Sequence, residues 1–354
     1  MSDAVFPAFV AVLASAVLAL GLFVPFVAVQ YRRRGTLRAG QVLIGGAALV
    51  YGVAVLAYTL LPLPTVTAAL CARGGAGVQP HPGQVVRDVL RLHAAGAGLL
   101  DNAALQQAVF NVALFVPLGA FVRYLRGTGV ATAAAAGLGV SLLVELTQLT
   151  GIWFVYPCAY RLFDVDDLIT NTAGALIGAL LAPALALVPG QHRLDDPGAP
   201  RPVTSWRRLL GMASDVAVGQ GAGIALAFTY QATLADAVPP RVDSVVQTVL
   251  VSVVPALVLL LVMLGTGRSV GEAVVRLRPR GRHRTPTVVL RWLLGGGGYL
   301  LLSAGADGFA GTLAVVSVVA VFLTRGHRGL AYRLVRWDVV DDRTVSTEPA
   351  LLRR

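Results

Sequence analysis

The chain has 354 residues, 56% of them hydrophobic and only 13% charged, with a mean hydropathy of +0.72. Soluble globular domains carry about 25% charged residues, so this composition excludes an ordinary soluble fold and points to membrane helices packed through abundant Ala and Gly. The net charge of +11 rests on arginine alone, without a single lysine, and those arginines lie in short segments between apolar runs; this disfavours a nucleic-acid surface and supplies a topology signal.

The N-terminus, Met1-Ser2-Asp3, has no basic region, and the apolar run behind it is too long for a signal peptide, so it reads as a first membrane span. Runs near the ~20 residues that cross a bilayer follow at 39–61, 104–124, 130–150, 167–188, 209–231, 244–265, 288–303 and 308–323, after the first at 5–29. The last two are short and read as two tight spans or a re-entrant pair. With the N-terminus outside, 24 arginines border inner segments and five (Arg73, Arg87, Arg91, Arg161 and Arg241) fall outside. The expected fold is an all-α, polytopic integral membrane helix bundle of about nine spans, with the C-terminus inside.

Between spans two and three runs a long outer loop, 62–103, with Pro62, Pro64, Pro80 and Pro82. The topology puts Cys71 and Cys158 on the same oxidising side, where either a disulfide or two unpaired thiols fits. The inner segment 189–208 is rich in Pro, Gly and charge and reads as a linker. The expected organisation is a five-span domain at 1–188, a cytoplasmic linker at 189–202, a second membrane domain at 203–342 and a cytoplasmic tail at 343–354.

The polar residues concentrate in 141–178. Ser141, Glu145 and Gln148 share one face of span four. Arg161, Asp164, Asp166 and Asp167 lead into span five, which carries Asn171 and a Gly174/Gly178 pair spaced for close helix approach. Asp166 or Asp167 suits the N-cap of that helix. Capping explains neither three acids in four residues nor Glu145 inside a span, and an ionisable residue at bilayer depth is a functional-site hypothesis. Span three adds Asn111, with Pro117 and Gly119 below it.

The segments NVALFVPLGAFV (111–122), SLLVELTQ (141–148) and RLFDVDDLITNTAGALIG (161–178) resemble the VanZ-like family, over roughly 40–188. The resemblance maps onto Asn111, Pro117, Gly119, Glu145, Gln148, Arg161, Asp164, Asp167, Asn171 and Gly174. It implies a multi-pass protein of the bacterial cell membrane; the family's best-known member accompanies glycopeptide-resistance clusters and raises resistance to teicoplanin. It supplies no reaction.

In the second half, WRRLLGMASD (206–215) places Arg208 and Asp215 two turns apart on one helical face. Asp215 lies inside span six and needs a partner, for which Arg291 is the candidate. With SVGEAVVRLRPRGRHRTPTVVLRWLL (269–294), this half resembles the RDD family over roughly 203–342. It departs from that pattern at Glu272, where a Lys is usual, and at Arg333, where an acid is expected.

Other motifs lead nowhere chemical. The glycines at 219, 221 and 223 follow no strand and read as helix packing; the five histidines are scattered over loops, so no metal site and no cofactor is expected. The five arginines from Arg276 to Arg284 suit lipid headgroups, making membrane lipids the expected partners. Three functions fit the polar cluster. The first is an accessory to envelope-antibiotic resistance that binds a glycopeptide, lipid or cell-wall precursor at the outer leaflet. The second is a transporter using Glu145 and Asp215. The third is a membrane enzyme holding Mg²⁺ on paired acids, for which no nucleophile is evident and no catalytic residue can be named.

Overall fold

The computed structural model describes residues 5–61, 71–72, 76–191, 196, 198–234 and 238–344. Apolar runs of membrane length become helices here because a bilayer offers backbone polar groups no water, so each segment satisfies its own. The first helices are α1 (Val5–Arg34) and α2 (Ala39–Leu60). A short amphipathic helix, α3 (Gln84–Ala94), precedes α4 (Ala103–Arg126), α5 (Val130–Leu149) and α6 (Val165–Leu181). The ends of α4 follow simple rules. Asn102 Oδ1 accepts from Leu105 N at 3.2 Å, while Gly127, at φ +69°, closes the other end beside Arg123 and Arg126.

Beyond the linker come α7 (Ser205–Thr233), capped by Thr204 Oγ1, and α8 (Pro240–Thr266). A π-helical turn interrupts α8 at Val249–Val253, just before Pro255. A proline has no N–H to give the carbonyl four residues back, and the wider turn accommodates it. The remaining helices are α9 (Val270–Val274), α10 (Thr285–Leu293), α11 (Gly296–Leu302), α12 (Asp307–Leu323) and α13 (Gly329–Leu334).

Among the described residues, seven helices are long and apolar enough to cross a membrane: Ala8–Arg34, α2, α4, α5, Val165–Leu187, α7 and α8. About nine were expected. The run at 288–303 is not one helix but α10 and α11, because the chain breaks at the glycines 295–298 and packs them tightly on the preceding turn. A Cβ at Gly297 would lie 1.9 Å from Trp292 Nε1, and one at Gly298 1.7 Å from Leu293 O. Helix α12, at 17 residues, is apolar but short.

The chain forms two compact units, one drawn from residues 1–17 and 38–191, the other from 18–37 and 192–354. The division falls close to the linker expected at 189–202, but residues 18–37, assigned on sequence to the first domain, pack with the second unit. Val27, Tyr31 and Leu37 are buried in one core with Leu210, Val275, Leu277, Trp292 and Trp337. Hydropathy marks α1 as apolar without saying which neighbours its apolar surface meets.

In the first unit, α4 and α6 approach backbone to backbone. A Cβ at Gly119 would sit 1.8 Å from Ala175 O, at Gly174 2.2 Å from Val112 O, and at Gly178 1.7 Å from Val116 O. Only glycine permits that separation. Helix α5 joins them through Gly137, whose Cβ would meet Ala175 Cβ at 2.3 Å. A two-residue parallel ladder pairs β1 (Val78–Gln79) with β2 (Phe163–Asp164), Val78 opposite Phe163. In the second unit, β3 (Leu277–Arg280) pairs antiparallel with β4 (Asp338–Asp341), Leu277 opposite Asp341. Helix α9 presses on α7 where a Cβ at Gly271 would lie 1.8 Å from Gly211 O.

Candidate functional site

Four acidic residues of the first unit, Glu145, Asp164, Asp166 and Asp167, gather at the junction of α5, β2 and α6. Glu145, on the last turns of α5, is 3% exposed, and its Oε2 accepts from Asp164 N at 3.0 Å. Asp164 ends β2 and is the N-cap of α6: its Oδ1 accepts from Asp166 N at 2.8 Å and from Gln79 Nε2 at 3.2 Å. Burial holds the Asp164 carboxyl above the ordinary carboxylate range, outweighing those two hydrogen bonds.

Asp164 is thus the cap that the sequence assigned to Asp166 or Asp167, and each of those two has another partner. The Asp166 carboxylate caps a different helix, α3, accepting from Gly83 N and Val85 N at 2.7 Å each. A helix of eleven residues with no buried side chain is in this way fixed to the start of α6. Asp167 Oδ1 accepts from Asn111 Nδ2 at 2.6 Å and from Gln107 Nε2 at 3.4 Å, both on α4.

The other expected members divide. Asn171 Nδ2 donates to Ser141 Oγ at 2.8 Å, joining α6 to α5, while its buried Oδ1 has no partner among the described residues. Gln148 Nε2 donates to Thr59 O at 2.7 Å, so this side chain ties α5 to α2 and takes no part in the acidic junction. Arg161 is exposed and makes no ion pair among the described residues, although it is near enough to act on Glu145 electrostatically. Cys71 and Cys158 are joined as a disulfide, their Cα atoms 5.5 Å apart.

Between α5 and Cys158 the chain makes a left-handed turn. Gly151, Ile152, Trp153 and Phe154 have φ of +61°, +56°, +54° and +69°. Left-handed backbone costs roughly 1–2 kcal/mol per non-glycine residue. The turn is fixed by Trp153 N donating to Thr150 Oγ1 and by Tyr156 N donating to Gly151 O. It turns the chain sharply just after α5 and leaves Trp153 and Phe154 exposed.

The carboxylates of this junction share one property. Among the described residues each is met by neutral donors, either backbone amides or carboxamide side chains. Three residues that sequence reasoning passed over complete the arrangement. Gln79 and Gln107 donate to Asp164 and Asp167, and fully buried Asn102 holds α3 to α4 through Nδ2 to Val89 O at 2.9 Å. Gln107 was within reach of sequence reading, since it precedes Asn111 by one helical turn. Gln79 was not, because its position depends on the pairing of β1 with β2.

The second unit's polar residues are arranged otherwise. Asp215 does not pair with Arg291. Its Oδ2 accepts from Ser269 Oγ at 2.6 Å and its Oδ1 from Gly271 N at 2.7 Å, both contributed by the turn into α9. Arg291 pairs with Glu272 at 2.9 Å, and Arg208 lies 3.6 Å from the same carboxylate. Both guanidinium groups lie over the Tyr332 ring, whose hydroxyl donates to Glu272. Burial by itself would raise the Glu272 carboxyl; Arg291 and Arg208 hold it below its ordinary range. A second lock joins Asp341 to Arg207 at 2.8 Å and to Arg343 at 2.6 Å, and these arginines hold Asp341 well below the usual range despite burial. Glu272 stood out in the sequence only as a departure from a family pattern; its pairing emerges in three dimensions. Among the described residues no group of three His, Cys, Asp or Glu side chains is placed to hold a metal ion.

No curated protein and no solved structure matches the chain. The match to a family model begins in α2 and ends with Leu187, short of the second unit. That model is VanZ/LLP1, covering residues 48–187, and so the segment carrying Asn111, Glu145, Asp164, Asp166, Asp167 and Asn171 is VanZ-like, within a chain built of membrane-length helices.

Proposed function

We propose that the first unit serves in resistance to glycopeptide or other envelope-targeting antibiotics in a bacterial cell membrane. It acts at the outer leaflet by binding the drug, a lipid or a cell-wall precursor. The observation that carries this reading is the acidic junction itself. Glu145, Asp164 and Asp167 converge within the VanZ-like segment and are partnered by neutral donors, so no described cation neutralises them and a ligand can supply the counter-charge. A carboxylate has about four lone-pair sites, and those used here leave capacity for cationic or hydrogen-bond-donating groups. The arginine distribution, 24 to 5, favours an outer position for the junction, with the N-terminus outside. The Cys71–Cys158 bond beside it suits an oxidising compartment. The RDD-like reading of 203–342 rests on the motifs in that half.

The test is deletion of the gene and complementation with wild type, Asp167→Asn and Asp164→Asn. Deletion is expected to raise sensitivity to glycopeptides or lipid-modifying drugs, and wild type to restore resistance. Asp167→Asn, present in the membrane at the same level, is expected to fail. Sensitivity that stays unchanged on deletion would overturn the reading. Transport is the second reading, motivated by carboxylates within spans of both units, Glu145 and Asp215. A proteoliposome flux assay giving the same null result for wild type and Glu145→Gln would remove it.

A further inference from the structure

The second unit contains a pocket that the acidic junction does not explain. It lies between α7, α11 and α12 and has a volume of about 580 Å³. That is within the roughly 300–1,000 Å³ of small-molecule sites. Its walls are apolar, formed by Leu209, Met212, Val216, Tyr299, Leu313 and Val318 among others. Tyr299 brings a phenol to the wall, and two smaller polar side chains line it, Asp215 and Ser317.

Both are poised for a ligand. Ser317 is 7% exposed, and its Oγ is buried with no hydrogen-bond partner among the described residues. A buried hydroxyl without a partner is uncommon and asks for an explanation, of which a bound group is one. Asp215 accepts one hydrogen bond on each oxygen, from Ser269 Oγ and Gly271 N. Both donors are neutral, and no cation lies within ion-pair distance of it among the described residues. Arg208 and Arg291 are near enough to act on Asp215 electrostatically, but both make their ion pairs with Glu272. Two lone-pair sites and the negative charge therefore remain.

Leu294 and Gly295 break the helix between α10 and α11, and Gly296 follows with its Cα against Asp215. A Cβ there would lie 3.2 Å from Asp215 Cβ. Broken helices at membrane depth occur where the freed backbone lines a cavity or is buried in protein.

We propose that this pocket binds an amphiphile with an apolar chain and a primary amine head. The chain lies along the apolar walls. The ammonium donates to Asp215, and Ser317 Oγ accepts from the same head. The class follows from complementarity: a single carboxylate in an apolar site selects a cation over a neutral or anionic head.

The experiment uses the full chain in nanodiscs, with radiolabelled decylamine as probe and unlabelled decylamine, decanol and decyl phosphate as competitors, corrected for empty nanodiscs. Decylamine is expected to compete at least about tenfold better than decanol, since ionic hydrogen bonds are roughly twice as strong as neutral ones. Decyl phosphate is expected not to compete. Ala314→Trp, which fills the pocket, is expected to abolish saturable binding, and Asp215→Asn to erase the difference between amine and alcohol. Equal competition by decylamine and decanol on the wild-type protein would overturn the proposal, as would undiminished decylamine binding by Ala314→Trp. The wild-type comparison needs no variant, so a failure of Asp215→Asn to fold leaves the proposal exposed to refutation.

Discussion

The two units treat buried acid in opposite ways. In the first, Glu145, Asp164, Asp166 and Asp167 are held by backbone amides and carboxamides. In the second, Glu272 and Asp341 are each clamped by two arginines. A carboxylate paired with buried arginine has its charge neutralised and its geometry fixed, which suits a structural lock. A carboxylate held by neutral donors is positioned without a neutralising counter-charge, which suits a binding site. The difference separates the first unit's junction from the arginine-clamped acids of the second unit, where Asp215 is the exception that lines a pocket.

The largest test of this contrast is stability. Glu272→Gln leaves Arg291 and Arg208 buried against a neutral amide and is expected to cost about 3–5 kcal/mol. Asp167→Asn keeps an acceptor for Asn111 and is expected to cost only about 1 kcal/mol. Unfolding in detergent followed by hydrogen exchange within each unit measures both. Equal losses would erase the distinction between lock and site.

A smaller effect sharpens the picture inside the junction. Asp166→Ala removes both acceptors at the start of α3 and is expected to cost about 0.5–2 kcal/mol. The Gly83 and Val85 amides should then exchange faster, while Asp167→Ala leaves them protected. Unchanged protection in Asp166→Ala would mean that α3 is fixed by Asn102 and not by Asp166.

The mildest effect is pH dependence, and its sign differs between the units. Asp341 is lowered below the unfolded aspartate value of about 3.9. Its contribution is therefore present above about pH 4 and lost as pH falls through the lowered folded value. Asp164 is raised. Its contribution is fully present below about pH 4 and is lost as pH rises through the raised folded value. Acidification from neutral toward pH 4 should tighten the β2–α6 junction and leave the β4 anchor unchanged; only further acidification should loosen β4. Exchange rates for peptides spanning 160–168 and 337–343, corrected for intrinsic rate, report this directly. Both segments loosening together across that range would sink it.

Much of the architecture was legible in the chain, because apolar length is a local property. Seven membrane-length helices lie where apolar runs predicted them, and the glycines at 174 and 178 announced the close approach that α4 makes to α6. The concentration of acids at 164–167 was equally plain, as was its resemblance to a family, matched over residues 48–187.

What the chain could not reveal was pairing. Asp164, Asp166 and Asp167 are near neighbours in sequence, yet one caps its own helix, one caps α3 and one binds α4, since successive residues at a helix start point in different directions. Asp215 and Arg291 are opposite charges in one membrane unit, but Arg291 finds Glu272 because the α9 turn brings that acid to it and meets Asp215 with its own amide and hydroxyl. The apolar run at 288–303 is broken at its glycines into two short helices, and residues 18–37 join the second core. Composition and periodicity determine that a segment is helical and apolar; which face meets which partner depends on distances between segments remote in sequence, and those exist only in the folded chain.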